Sequence, residues 1–177
     1  PMFEALVATG TELARDASLR AVVLSGEGRA FSAGLDFSSF QSMAGQAERG
    51  GPTLLSRDHG DSPANFAQRA AWVWTELPVP VIAAVHGVAY GGGLQIALGA
   101  DVRFVAPDAR LSVMEIKWGL VPDMSGTQTL RRLVRLDVAK ELSFTGRVVS
   151  GTEAVELGLA TSVAADRGSA SSSGPGM

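Results

Sequence analysis

An α/β fold is predicted for this chain by three observations. Short β-branched runs alternate with stretches whose apolar residues recur at helical spacing, the pattern of strands interleaved with helices. Three consecutive glycines, Gly91-Gly92-Gly93, separate one such strand from one such helix. The 177 residues are 46% hydrophobic and 19% charged, enough apolar material for one domain with a buried core.

Each element has a local reason. Phe3, Leu6, Val7, Leu13 and Ala17 trace the apolar face of an opening helix. Residues 20–25 form the first strand. The stretch 37–60 is polar and rich in glycine, with no sustained period, and reads as a long loop. Residues 62–76 read as a helix with Ser62 as cap and Pro63 in the first turn, stopping before Pro78 and Pro80. The apolar run 81–85 is a buried strand, and a helix starts at Gly91. Strands follow at 101–106 and 110–113, then helices at 125–133 and 137–144. Ser150-Gly151-Thr152-Glu153 has the form of a capping box, opening a helix that ends near Gly158. Residues 159–164 make the last strand.

Composition excludes several function classes. A net charge of −3 offers no basic surface for nucleic acid or an anionic membrane. With no cysteine there is neither disulfide nor thiolate chemistry, which fits a reducing compartment, and the expected location is cytoplasmic. No run approaches the ~20 apolar residues of a membrane span. The start PMFEALVATG lacks a basic segment followed by an apolar one, so no secretion signal is expected. There is no internal repeat, no phosphate-loop lysine motif, no dinucleotide fingerprint and no nucleophile-elbow serine.

The triple glycine is the most informative segment. Without a Cβ on three successive residues, a ligand can approach the backbone closely. The free N–H groups and positive end of the following helix then point at it. This is the physics of an anion or oxyanion site, although glycine-rich turns also serve packing alone. Two further segments narrow the choice: RAFSAGLD at 29–36, directly after a strand and a Gly26-Glu27-Gly28 turn, and EIKWGLVPDMSGTQ at 115–128. In this order and spacing the three resemble the crotonase superfamily, the enoyl-CoA hydratases and isomerases, over residues 2 to 163.

The resemblance implies a spiral of stacked ββα units. It also implies a chain that lacks the family's first strand pair and C-terminal helical segment. A core is expected over 1–165, and 166–177, small, polar and Gly/Ser-rich, is expected to be disordered. A truncated or frame-shifted member would look like this. Family members are usually trimers or pairs of trimers, so a homotrimer or hexamer is expected, with a full-length relative as a further conceivable partner.

The same resemblance assigns candidate residues. The main-chain N–H groups of Leu35 and Gly92 would form an oxyanion hole for a thioester carbonyl; alone, Leu35 would read as a core leucine. Asp36 reads as a turn or cap residue. Ala33 would meet the adenine of coenzyme A, with Arg29, Ala30 and Phe31 along the same edge. Hydratases of the family use two carboxylates, one to activate water and one to deliver a proton. The first of those positions is Gln95 here, and an amide has no useful pKa, though it can orient a water or a carbonyl. The second is Glu115, whose bland reading is a solvated acid near a strand end. Asp123 matches an aspartate of the dienoyl-CoA isomerases, yet equally reads as the N-cap region of the next helix.

Two function readings follow. The first is an acyl-CoA enzyme in which Glu115 is the acid/base, Gln95 orients and Asp123 assists. Isomerisation of an unsaturated acyl thioester is preferred over hydration because of Gln95. The second is a non-catalytic remnant that binds acyl-CoA or pairs with a full-length relative. Neither needs a cofactor beyond the coenzyme A carried by the substrate, and His59 and His86 make no metal site. His86 is expected to hydrogen-bond backbone beneath the glycine loop, and His59 to be solvated. Arg131, Arg132 and Arg135 read as a solvated or subunit-contact face, and Trp72, Trp74 and Trp118 as core or interface anchors.

Overall fold

The structure, a computed structural model, describes residues 2–34 and 62–164. The expected loop 37–60, with His59, the pair Leu35-Asp36 and the tail 166–177 lie outside the described residues.

In chain order the elements are α1 (Met2–Leu13), β1 (Val22–Ser25), α2 (Phe66–Trp72), a 3-10 turn (Val73–Glu76), β2 (Val81–Val85), β3 (Val88–Tyr90) and α3 (Gly92–Leu98). Then come β4 (Val102–Val105), β5 (Arg110–Ser112), a 3-10 turn (Glu115–Trp118), α4 (Gly126–Leu133), α5 (Leu136–Thr145), β6 (Val149–Ser150), α6 (Gly151–Leu157) and β7 (Ser162–Val163). The expected α/β class holds. One sheet has the order β1-β2-β4-β7 and is parallel throughout. The other has the order β3-β5-β6, with β3 and β5 parallel and β6 antiparallel.

The two sheets grow together. After β1 the chain makes a parallel bridge from Ser32 to Ala89 in the second sheet. It returns to the first sheet as β2 and crosses to the second as β3. A third pass repeats this as β4 and β5. Each pass adds a strand, or a bridge, to each sheet in parallel register, which is the spiral of stacked units that the resemblance implied. Strand β2 lies between β1 and β4, and all five of its residues are buried. That is why it reads as an unbroken apolar run.

Several boundaries differ from expectation, each for a local reason. Helix α1 stops at Leu13, and Ala17 is exposed, off the helix. Asp16 ends it by accepting from the Ser18 N–H at 2.9 Å and the Ser18 hydroxyl at 2.6 Å, a side-chain turn that competes with the helix. The helix expected from Ser62 starts at Phe66 instead, because Asn65 is the cap. Asn65 Oδ1 accepts from the Gln68 N–H, and Gln68 Oε1 accepts from the Asn65 N–H, each at 3.0 Å. Ser62 donates to Glu76 instead, at 2.8 Å. The short strands β3 and β6 were not anticipated. The cap of α6 agrees with the sequence: Ser150 Oγ accepts from the Glu153 N–H, and Gly158 at φ 85° closes the other end.

One continuous core runs between the sheets and helices, with Leu94, Leu111, Leu142 and Leu159 almost fully inside. Trp74 belongs to it, 2% exposed, with its indole N–H on Ala70 O. Trp72 is half-buried, but Trp118 is 63% exposed and is no core residue of this chain. Arg131, Arg132 and Arg135 are exposed, as a solvated face requires, and Arg135 pairs with Asp137.

Candidate active site

The three motifs meet at the start of α3. Segment 28–34 crosses over the end of β2 and runs alongside β3. Phe31 N–H donates to His86 O at 2.9 Å, Ser32 N–H to Val88 O at 3.0 Å, and Tyr90 N–H to Ser32 O at 3.0 Å. His86 lies beneath this crossing as expected, its Nε2–H donating to Gly28 O at 3.1 Å. The close approach explains glycine at two positions. A Cβ on Gly93 would lie 2.6 Å from Ser32, and one on Gly34 2.8 Å from Tyr90 O and 3.8 Å from the Gly92 nitrogen. The first motif is thereby pressed against the triple glycine. Leu35, its expected oxyanion donor, follows Gly34 directly but lies outside the described residues.

Gly91 turns the chain into α3 at φ 50°, a backbone that side chains rarely adopt, with its N–H on Ser112 O at 3.0 Å. The amides of Gly92, Gly93 and Leu94 have no acceptor within the helix. Over this turn sits Glu115. A Cβ on Gly91 would come within 3.2 Å of Glu115 Oε1, so the missing side chain makes room for the carboxylate.

Glu115 opens the 3-10 turn after β5 and is 8% exposed, so the reading as a solvated acid is wrong. Its Oε1 accepts from Gln95 Nε2 at 2.6 Å. Gln95, itself 3% exposed, accepts at Oε1 from the Gly126 N–H at 2.8 Å. Glu115 Oε2 is buried with no hydrogen-bond partner. A buried polar atom left unmatched costs about 1–3 kcal/mol, so its presence calls for a reason. Burial pushes the Glu115 carboxyl above the usual glutamate range, helped by the charge of Asp123 and opposed by its own main-chain N–H and by Gln95.

Asp123 is exposed and bears on Glu115 through charge. It does not cap α4. The cap position is Ser125, and no side chain caps that helix end. Among the described non-glycine residues, Ser125 is the one with positive φ, at 71°. Met124 covers Gly92, on which a Cβ would lie 2.9 Å from the Met124 sulfur. Of the expected coenzyme A edge, Arg29 and Ala33 are exposed and Ala30 is half-buried. Phe31 turns inward, lining an apolar hollow with Met2, Leu6, Leu24 and Ile96. Met124, Ser125 and Gly126 were not singled out in the sequence as site residues. Their signal, a small-residue run opening a helix, does not say which side chain the helix end meets. No group of three His, Cys, Asp or Glu able to hold a metal occurs among the described residues. No described helix is long and apolar enough to cross a membrane.

A buried carboxylate over a glycine-rich helix start, reached from two interleaved sheets, one parallel and one mixed, is the arrangement found here, and similarity to known proteins assigns its class. The family model for enoyl-CoA hydratase/isomerase matches residues 2–169, and the chain belongs to that family. It is 39% identical to a probable enoyl-CoA hydratase of Bacillus subtilis (strain 168) over 151 residues, 85% of this chain and 54% of that protein. It is 32% identical to a peroxisomal Delta(3,5)-Delta(2,4)-dienoyl-CoA isomerase of Arabidopsis thaliana over 153 residues, 86% of this chain and 55% of that protein. The crystal structure of an enoyl-CoA hydratase/isomerase from Mycobacterium paratuberculosis superposes with TM-score 0.81 at 32% identity, over 93% of this chain and 62% of that one. The chain thus spans about half the length of the curated relatives it matches.

Proposed function

We propose that this chain moves a double bond in an unsaturated acyl-CoA thioester, with Glu115 as the one proton-carrying side chain. The observation that carries the reading is the buried Glu115 carboxylate, one oxygen unpartnered, facing an amide at position 95 rather than a second acid. Water addition asks for two proton-exchanging groups, and Gln95 cannot be one. Isomerisation asks for one. Glu115 takes a proton from Cα, the electron pair moves onto the thioester oxygen as a dienolate, and the same proton returns at Cγ. The C3=C4 bond becomes C2=C3, with no net gain or loss of atoms or electrons. A carboxyl held above its usual range by burial is suited to give that proton back.

The dienolate oxygen would accept from the N–H groups of Gly92 and Leu35. Preorganised donors of this kind each supply on the order of 3 kcal/mol in a dry site. Coenzyme A would lie along Arg29, Ala30 and Ala33, with Phe31 behind them. The charge of Asp123, on the open side, would add to the burial that keeps the Glu115 proton affinity high. Hydration is the competing reading, since the Bacillus subtilis relative bears the name of a probable hydratase.

The test is to incubate the purified chain with 3-enoyl-CoA and, separately, with 2-enoyl-CoA. Formation of 2-enoyl-CoA without 3-hydroxyacyl-CoA is expected, and Glu115→Gln should reduce it by ~10²-fold or more. Ready hydration by the native chain defeats the isomerase reading. Binding of acyl-CoA without either turnover would favour a non-catalytic subunit.

A further inference from the structure

Gln95 is tied at both ends to protein atoms. A main-chain N–H can only donate, so the end of the amide facing Gly126 must be the carbonyl oxygen, which leaves the nitrogen toward Glu115. The orientation therefore follows from chemistry. The carbonyl of a 3%-exposed side chain is spent on Gly126, and an N–H of the amide on the catalytic carboxylate. The anchor is built for this contact. Ser125 holds a left-handed backbone at φ 71° immediately before Gly126. A Cβ on Gly126 would lie 2.6 Å from Gln95 Oε1, so only glycine admits the amide there.

We propose that Gln95 is a positioning residue: clamped by the Gly126 N–H, it fixes Glu115 Oε1 and leaves Oε2 as the atom that exchanges protons with the acyl thioester. This rests on the reading of Glu115 as the proton carrier. The unpartnered state of Oε2 is what such a division of labour requires. Of the other ionisable groups near Glu115, Lys117 in the same 3-10 turn is exposed. Asp123 acts on Glu115 by charge, from the exposed side. On α5, which packs against the 3-10 turn bearing Glu115, Asp137 pairs with Arg135, Glu141 pairs with Arg147, and Lys140 is exposed.

The experiment follows the Glu115 carboxyl by ¹³C NMR in the full chain, its signal assigned by its loss in Glu115→Gln, beside steady-state kinetics with 3-enoyl-CoA. In Gln95→Met the carboxylate loses a donor, so its titration should move upward. kcat should fall by about tenfold or more while KM holds, and the Gly126 amide should exchange faster with solvent. Gln95→Glu keeps an acceptor for Gly126 but sets a second carboxyl against Oε1, so the Glu115 titration should again move upward. This variant decides the matter if the methionine variant does not fold. An unmoved Glu115 titration overturns the proposal, as does a rise in KM at constant kcat, which would put Gln95 on the substrate. A native chain that isomerises nothing, yet shows the upward titration in the variants, would instead sink the isomerase reading and leave the clamp standing.

Discussion

Among the described residues two charged side chains, Arg103 and Glu115, are buried, and they are treated in opposite ways. Arg103, on β4, is 4% exposed and tied down: Nε donates to Leu159 O at 2.8 Å and Nη1 to Ala100 O. Its own backbone is stitched to Thr161, whose hydroxyl accepts from Arg103 N–H at 3.1 Å and whose N–H donates to Arg103 O at 2.9 Å. Desolvation lowers its proton affinity, and the charge of Asp101 pulls it back up. Asp101 meanwhile accepts from Val81 N–H at 2.8 Å. Arg103 thus joins the end of the parallel sheet to the segment that enters β7. Glu115 is 8% exposed, with one oxygen fixed and the other bare. The contrast is between a buried charge whose donors are bound within the fold and one that keeps an unmatched oxygen, as the proposed proton carrier would. The first donates to the main-chain carbonyls of two buried residues. The second keeps one buried carboxylate oxygen without a hydrogen-bond partner.

Substitution should separate the two. Arg103→Met has the largest expected effect on stability. It removes the donors of two buried carbonyls, so a loss on the order of 3 kcal/mol is expected in denaturant unfolding. A loss under about 0.5 kcal/mol would mean that Arg103 is no structural tie.

Glu115→Gln should act in the other direction and depend on pH. The folded-state pKa of Glu115 is raised, so the folded protein holds that proton more tightly than the unfolded chain. Its contribution is therefore fully present below the ordinary glutamate pKa and is lost as pH rises through the folded value. The glutamine variant does not suffer that loss. Its unfolding free energy should match the native chain's at low pH and exceed it increasingly across that window. A difference flat in pH would show that Glu115 is as well satisfied as Arg103.

The smallest effect concerns the strain beside the site. Ser125→Gly relieves a left-handed backbone, less the extra freedom glycine brings to the unfolded chain, for a net gain of about 0.5 kcal/mol. If thermal unfolding shows a loss instead, the Ser125 hydroxyl, which donates to Met124 O, matters more than the strain.

Some features could be read without coordinates because they are local. Strand β2 announces itself as five apolar residues, all buried. The α6 cap follows from Ser150 and Glu153 at the required spacing. The start of α2 is not legible in the sequence, because Ser62-Pro63 and Asn65 with Gln68 offer rival starts three residues apart, and only the reciprocal Asn65–Gln68 bonds decide between them. Strands β3 and β6, of three and two residues, are too short to show a period. Their pairing is decided by β5, to which both bond.

The candidate site divides along the same line. Gly91, Gly92, Gly93, Gln95, Glu115 and Asp123 are visible by type and order in the chain. The absence of an acid at position 95 is visible too, and with it the preference for one-carboxylate chemistry. Folding alone brings Gln95 to Glu115 across 20 residues and to Gly126 across 31, buries all three, and leaves one carboxylate oxygen bare. It likewise sinks Arg103 and ties it to Leu159 across 56 residues. Spacing along a chain sets which neighbours within a few residues share a face. Which distant polar atoms meet, and which go unmet, depends on how sheets and helices stack, and that depends on every packed residue at once.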